Sequence, residues 1–359
     1  MYKYLLMLGL AAGTAAHGQE RPQHPQPPYP YYSEDVTFDN TKDGFKMAGT
    51  FTRPEAAGKY PAVILVSGSG PQDRDSDIFG HKSFLVLADH LTRNGIAVLR
   101  YDDRGTNKSG GEMKGSDITG FTRDAQAAMQ YLRSRPDVDA KKAGIIGHSE
   151  GGAIGQIMAS EDPGVAFLVS LAGPGVDGAT LIMSQTEAIL RLYQLTDTII
   201  QMQLGYQRAM MDAIVQEKDT AALRARIMRN ASKQYNENPN LKAVQPEEFF
   251  VRAVSSQYMS PEYLSIVRFD PKPYFAGIKC PVLALNGDKD IQVVSSVHLA
   301  GWKNGVKQAE IRELPGLNHL FQKCNSCQVS EYKTLTETIS PAALDVMSKW
   351  IRQTTGLAK

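Results

Sequence analysis

The chain has 359 residues, 42% hydrophobic and 21% charged, a balance that supports a sizeable core and excludes a disordered chain or a coiled coil. Its 39 Lys and Arg against 38 Asp and Glu leave a formal charge of +1, so no global field favours nucleic acid or an anionic membrane. Three cysteines are too few for a disulfide scaffold or a four-cysteine zinc site, and no metal or other cofactor is expected.

Lys3, the apolar stretch from Leu5 to Ala12 and the small residues ending at Ala16 and Gly18 read as a signal peptide over 1–18. The run is too short to cross a bilayer. No cysteine lies near the cleavage site to carry a lipid, so the protein is expected to be exported, periplasmic or secreted, without a membrane anchor. Residues 19–33 are Pro-rich and are expected to form an extended linker.

From Val36, two alternating runs separated by Lys42-Asp43-Gly44 predict an antiparallel hairpin. The apolar run Ala62 to Val66 suits a strand covered on both faces. A helical stretch follows around Phe84, Leu85, Ala88 and Leu91, closed by Asn94-Gly95. The pattern then repeats: strand at Ile96–Tyr101, helix through Ile118, Phe121, Ala125 and Leu132, strand at Ala143–His148, helix through Ala153, Ile157 and Met158, and strand at Val165–Leu171. Alternation of this kind implies a mostly parallel sheet with helices on both faces. It stops after Gly175, where helix-forming sequence rich in Met, Gln and Leu takes over. It resumes with the strand Pro281–Asn286, a helix near Ser295 to Trp302, the strand Ala309–Leu314 and a last helix from Pro341. The expected organisation is an α/β core over 34–175 and 263–359, interrupted by a helical cap over 176–262.

Gly147-His148-Ser149-Glu150-Gly151 fits G-x-S-x-G between a strand and a helix, where a serine is presented on a sharp turn and flanking glycines let strand and helix approach. A serine hydroxyl needs a base, and the base needs an acid to orient it. Downstream of Ser149 the histidines are His298, inside a predicted helix, and His319, in the loop after the last predicted strand; the loop position suits a base. The acid is Asp288 or Asp290, both following the strand Pro281–Asn286 at the carboxyl end of the sheet, where ligands bind in open α/β sheets.

Five segments, GSGPQDRD (68–75), YDDRGTNKSGG (101–111), GHSEGG (147–152), NGDKDIQV (286–293) and GLNHLFQ (316–322), resemble the α/β-hydrolases of the serine-aminopeptidase-like (S33-type), EstD-like esterase group. The resemblance implies an α/β-hydrolase fold and assigns the nucleophile to Ser149, the base to His319 and the acid to Asp290, by a G-x-x-D pattern beginning at Gly287. It also implies two backbone donors for the oxyanion: Glu150 N–H, and Ser69 N–H with Gly70 as the alternative, in a loop where Ser67-Gly68 stands in place of His-Gly. The implied activity is hydrolysis of small carboxylic esters through an acyl-enzyme. A peptidase or aminopeptidase of the same fold, or a silent hydrolase fold used for binding, are the competing readings. Met210 and Met211, at helical spacing in the insertion, fit either ordinary cap core or an apolar wall of the acyl pocket. Cys324 and Cys327 follow His319 closely enough to form a local disulfide in an oxidising compartment. The paired charges Asp73-Arg74-Asp75 and Asp102-Asp103-Arg104 are expected to be ion pairs and turns that hold the loops.

Overall fold

The structure, a computed structural model, describes residues 21–357; the expected signal peptide lies outside these residues. β1 (Tyr31–Asn40) and β2 (Phe45–Pro54) form the antiparallel hairpin. Its turn ends in Gly44 at φ 75°, a left-handed conformation that costs glycine little. The first strand begins at Tyr31 rather than Val36, because Tyr31 and Tyr32 pair with Pro54 and Arg53; the prolines just upstream obscure that start. The described part of the preceding segment, expected as an extended linker, is docked at its start. Arg21 donates to the carbonyls of Phe79, Lys333 and Leu335, and Gln23 Nε2 donates to Ile339 O at 2.7 Å.

Next come β3 (Tyr60–Val66), the short ladder of β4 (Asp77–Ile78) and β5 (His81–Lys82), α1 (Ser83–Arg93), β6 (Ala97–Tyr101), α2 (Ile118–Ser134), β7 (Val138–His148), α3 (Glu150–Glu161) and β8 (Leu168–Leu171). Six helices follow without a strand: α4 (Gly178–Leu192), α5 (Asp197–Gln216), α6 (Thr220–Asn236), α7 (Pro239–Val244), α8 (Glu247–Tyr258) and α9 (Pro261–Arg268). Side-chain oxygens of Asp177, Thr196, Asp219, Asn238 and Ser260 cap five of them, each satisfying a backbone N–H that the helix leaves open. The chain ends through α10 (Lys272–Gly277), β9 (Val282–Gly287), α11 (Ser295–Gly305), β10 (Ala309–Leu314) and α12 (Pro341–Thr355).

The large sheet has the order β1-β2-β6-β3-β7-β8-β9-β10, and only β2 runs against the others. One face packs on α2, α3 and α11 through Ala125, Leu132, Ile154, Met158 and Trp302. The other packs on α1 and α12 through Leu87, Leu91, Leu344, Met347 and Ile351. Covering both faces explains why the central strands read as unbroken apolar runs. From β3 the chain first moves to β6 on one side and then to β7 on the other. Loops leaving the carboxyl ends of β3 and β7 therefore diverge and open a crevice there.

Candidate active site

Ser149 sits between β7 and α3 with φ 54° and ψ −119°, a conformation that costs a non-glycine residue about 1–3 kcal/mol. The neighbouring glycines make it possible. A Cβ on Gly147 would lie 2.1 Å from Gly151 O, and one on Gly151 would lie 2.2 Å from Val66 O. The turn is tied to the sheet by Ser149 N–H donating to Leu171 O at 2.9 Å.

Asp290 and His319 come together from separate loops, after β9 and β10. His319 Nδ1 lies 2.8 Å from Asp290 Oδ2, with both residues buried. Asp290 Oδ1 accepts from the N–H groups of Gln292 (2.8 Å) and Val293 (2.9 Å). These bonds fix the carboxylate's direction, so the proton on His319 faces Asp290 and Nε2 is left as the free ring nitrogen. The histidine loop is shaped by Asn318, whose Oδ1 accepts from Leu320 N and Gln322 N at 3.0 Å each. Ser149 Oγ takes no part in these hydrogen bonds; the link between the two loops is His148, whose Nε2 lies 3.0 Å from His319 O. Burial, with His319 close by, holds His148 down at about 4, so it is neutral and donates from Nε2. Asp288 instead accepts from Gly316 N at 2.6 Å, a tie between loops. His298 is buried in α11 and accepts from Gly175 N at Nδ1, 3.0 Å away.

The loop after β3 lies over the start of α3. Glu150 is the first residue of α3, so its N–H has no partner within the helix. Gly68 is packed on the turn, where an added Cβ would be 3.1 Å from Ser149 Cβ. Of the two loop donors expected for an oxyanion, Gly70 N–H is already taken by Glu262 Oε1 of α9, at 3.1 Å. Ser67 Oγ donates to Asp103 Oδ1 at 2.7 Å. A small pocket opens here, lined by Val66, Ser67, Gly68, Gly70, Asp103, Phe121, Glu150 and Ile154 among others. The Glu150 side chain is buried in it. Burial, reinforced by Glu262, Asp103 and Asp117 and opposed by the Ser69 hydroxyl, pushes its carboxyl up to about 8.

Beneath the loop, Arg74 binds Asp102 through Nε (3.0 Å) and a terminal nitrogen (2.7 Å), and Asp102 also accepts from Arg74 N–H. Arg104 is divided between Asp124 and Asp43. Fork-to-fork pairs of this kind are directional, and buried they fix geometry more than they add stability. Cys324 and Cys327 are joined in a disulfide with Cα atoms 5.0 Å apart.

Of the two readings of Met210 and Met211, cap core and pocket wall, their burial matches the first. Both are 2% exposed and pack with Ile214, Ile227, Phe250 and Val254 in the cap's own core; they do not line the pocket beside Ser149. Helical spacing marks a buried face without saying what buries it, and here the other cap helices do. Three participants at the site escaped the sequence reading. His148 was read only as the variable position of G-x-S-x-G, and Glu262 is far from every motif. Asp103 was grouped with the loop-holding ion pairs, yet its oxygens face loop donors rather than a cation.

A family model described as X-Pro dipeptidyl-peptidase (S15 family) matches residues 43–312, so the matching peptidase group is S15 rather than the S33-type group suggested by the motifs. Esterase EstD of Thermotoga maritima is 25% identical over 82% of this chain and 61% of its own length. Acyl-coenzyme A thioesterase 1 of Mus musculus is 26% identical over 47% of this chain and 37% of its own. The chain thus spans about three fifths or less of these relatives. In fold, the α/β hydrolase GrgF from Penicillium sp. sh18 superposes with TM-score 0.55 at 16% identity, covering 91% of this chain and 100% of that one. The Pyrococcus furiosus esterase superposes with TM-score 0.53 at 15% identity, covering 96% and 100%. Both share the α/β-hydrolase architecture.

Proposed function

Because the chain belongs to the X-Pro dipeptidyl-peptidase (S15) family, we propose that it is a serine hydrolase, and that its substrates are small carboxylic esters. The observation that carries the reading is the 2.8 Å contact of His319 Nδ1 with a doubly anchored Asp290, beside a serine held on a strained turn. Ser149 Oγ attacks the acyl carbon as its proton passes to His319 Nε2. The N–H groups of Glu150 and Ser69 stabilise the oxyanion. Collapse of the tetrahedral intermediate expels the alcohol, which takes the proton from His319. Water, deprotonated by the same histidine, then attacks the acyl-enzyme, releasing the acid and restoring Ser149. Asp290 holds the imidazole in the tautomer the sequence of steps needs.

Ester rather than peptide chemistry is supported by two of the relatives, an esterase and an acyl-thioester hydrolase by name. The family's own name favours the second reading, a peptidase. A p-nitrophenyl ester series, run beside aminoacyl and X-Pro amides with Ser149→Ala as control, separates them. Esters turned over far faster than amides support the proposal, and amide efficiency equal to the best ester overturns it in favour of the peptidase.

We further infer export, from the leader pattern of residues 1–18 and from the Cys324–Cys327 disulfide, a bond that persists in oxidising compartments. Intact mass of protein from the native host should place the N-terminus near Gln19, and a product retaining Met1 would contradict export.

A further inference from the structure

We propose that Asp103 is a positioning residue for the oxyanion loop, acting through Ser67 and Gln72 to aim the Ser69 N–H; this rests on the serine-hydrolase reading above.

The geometry is that of a clamp closed at both ends of one loop. Asp103 Oδ1 accepts from Ser67 Oγ at 2.7 Å, and its Oδ2 accepts from Gln72 N at 2.9 Å. Asp103 N–H in turn donates to Gln72 O at 3.1 Å. Residues 67 and 72 bracket Ser69, so three hydrogen bonds to a single residue at the end of β6 fix the span that carries the donor. The neighbouring arginines do not take this carboxylate: Arg74 is bound to Asp102, and Arg104 to Asp124 and Asp43. An acid without a cation is costly to hold in a pocket, and burial pushes Asp103 up to about 7. Its two oxygens are instead matched by two loop donors, which is what positioning requires. Glu262 engages Gly70 N–H from the cap, which leaves Ser69, of the two loop amides, to serve the oxyanion.

Ser67 has a short side chain, and its hydroxyl reaches Asp103 Oδ1 at 2.7 Å, so the carboxylate is what ties this end of the loop to the end of β6.

A positioned donor acts on the transition state, whereas a pocket wall acts on bound substrate, and the two separate in kinetics. The test compares Asp103→Asn and Ser67→Ala with wild type on a p-nitrophenyl ester. Rates are expressed per site titrated with a fluorophosphonate, so that loss of folded protein does not count. A boronic acid inhibitor that forms a tetrahedral adduct on serine gives the second readout. Asn can accept only one of the two loop donors and presents its amide group to the other. Removing an oxyanion donor outright lowers turnover about 10²–10³-fold, so its misplacement by Asp103→Asn should lower kcat about 10–100-fold with KM nearly unchanged. Boronate affinity should fall in parallel. Ser67→Ala, which removes a single hydroxyl and leaves the carboxylate in place, should show the same pattern at about 10-fold. The double variant should be little worse than Asp103→Asn alone, since both act through one contact. The inference is overturned if either folded variant keeps wild-type kcat, or if KM rises while kcat and boronate affinity hold. Wild-type protein that neither labels with the fluorophosphonate nor hydrolyses any ester would remove the hydrolase reading itself. Labelled, active wild type with unaffected variants removes only the role of Asp103.

Discussion

Glu150→Gln offers a direct measurement of how much an acid beside the nucleophile costs the fold. Glu150 is 8% exposed, and one of its carboxyl oxygens, Oε1, has no hydrogen-bond partner among the described residues. Burial first, and then Glu262, Asp103 and Asp117, raise its pKa from an ordinary 4.5 to about 8. A raised carboxyl favours folding while protonated: the folded chain holds the proton, the unfolded chain releases it, and stability is lost as pH climbs from 4.5 to about 8. At 1.36 kcal/mol per pH unit, that interval sets a ceiling of about 5 kcal/mol. Water entry and side-chain relaxation around a newly charged group reduce the expected loss to about 2–3 kcal/mol. Glutamine keeps the size and can still accept from the Ser69 hydroxyl, yet never ionises. Urea unfolding followed by tryptophan fluorescence should therefore find the variant close to wild type at pH 4.5 and about 2–3 kcal/mol more stable at pH 8.5. Equal stability at pH 8.5, or the same gain at both pH values, would refute the argument that ionisation in this pocket is the cost.

Further expectations concern the reactive loops and the cap. Asp290→Asn should lower ester turnover about 10³–10⁴-fold by favouring the wrong tautomer of His319, while Asp288→Asn, whose amide oxygen can still accept from Gly316 N, should cost far less; steady-state kinetics of the pair would reverse the assignment if Asp288 proved the more sensitive. Gly147→Ala puts a methyl group 2.1 Å from Gly151 O and should destabilise the fold by about 3 kcal/mol or more, a loss that thermal melting would show; a melting temperature like wild type would mean that the turn can open. Met210→Ala removes a side chain from the cap's core and should cost about 2–5 kcal/mol without moving the optimum along an acyl-chain series. A shifted optimum would place Met210 at the substrate after all.

How much of this molecule could be read from sequence depends on the range over which each signal acts. The α/β alternation was legible because strands buried on both faces, such as Ala62–Val66, become unbroken apolar runs, and the helices between them show a regular face. The serine turn was legible for a partly local reason: the contacts that forbid a side chain at Gly147 come from Gly151 and Gly152, within a few residues of Ser149, whereas those at Gly151 come from Val66 and Ser67 at the end of β3. His319 and Asp290 required the expectation that strand ends converge, which the sheet order supplies. The start of β1 was missed because Tyr31 and Tyr32 take their partners from β2, and proline content upstream reads as linker whether or not the segment docks. Glu262 could not have been found. It is one acid on a cap helix, and its meeting with Gly70 N depends on how α9 settles over the sheet. Met210 and Met211 show the same limit from the other side, since periodicity identifies an inward face but not the surface it meets. Asp103 lies between these cases. Its neighbours Asp102 and Arg104 form the ion pairs the charge pattern suggested, and the pattern alone gives no reason to treat the middle acid differently. Only the direction of its two oxygens, toward Ser67 and Gln72 instead of an arginine, turns a structural charge into one that can control where the oxyanion donor points.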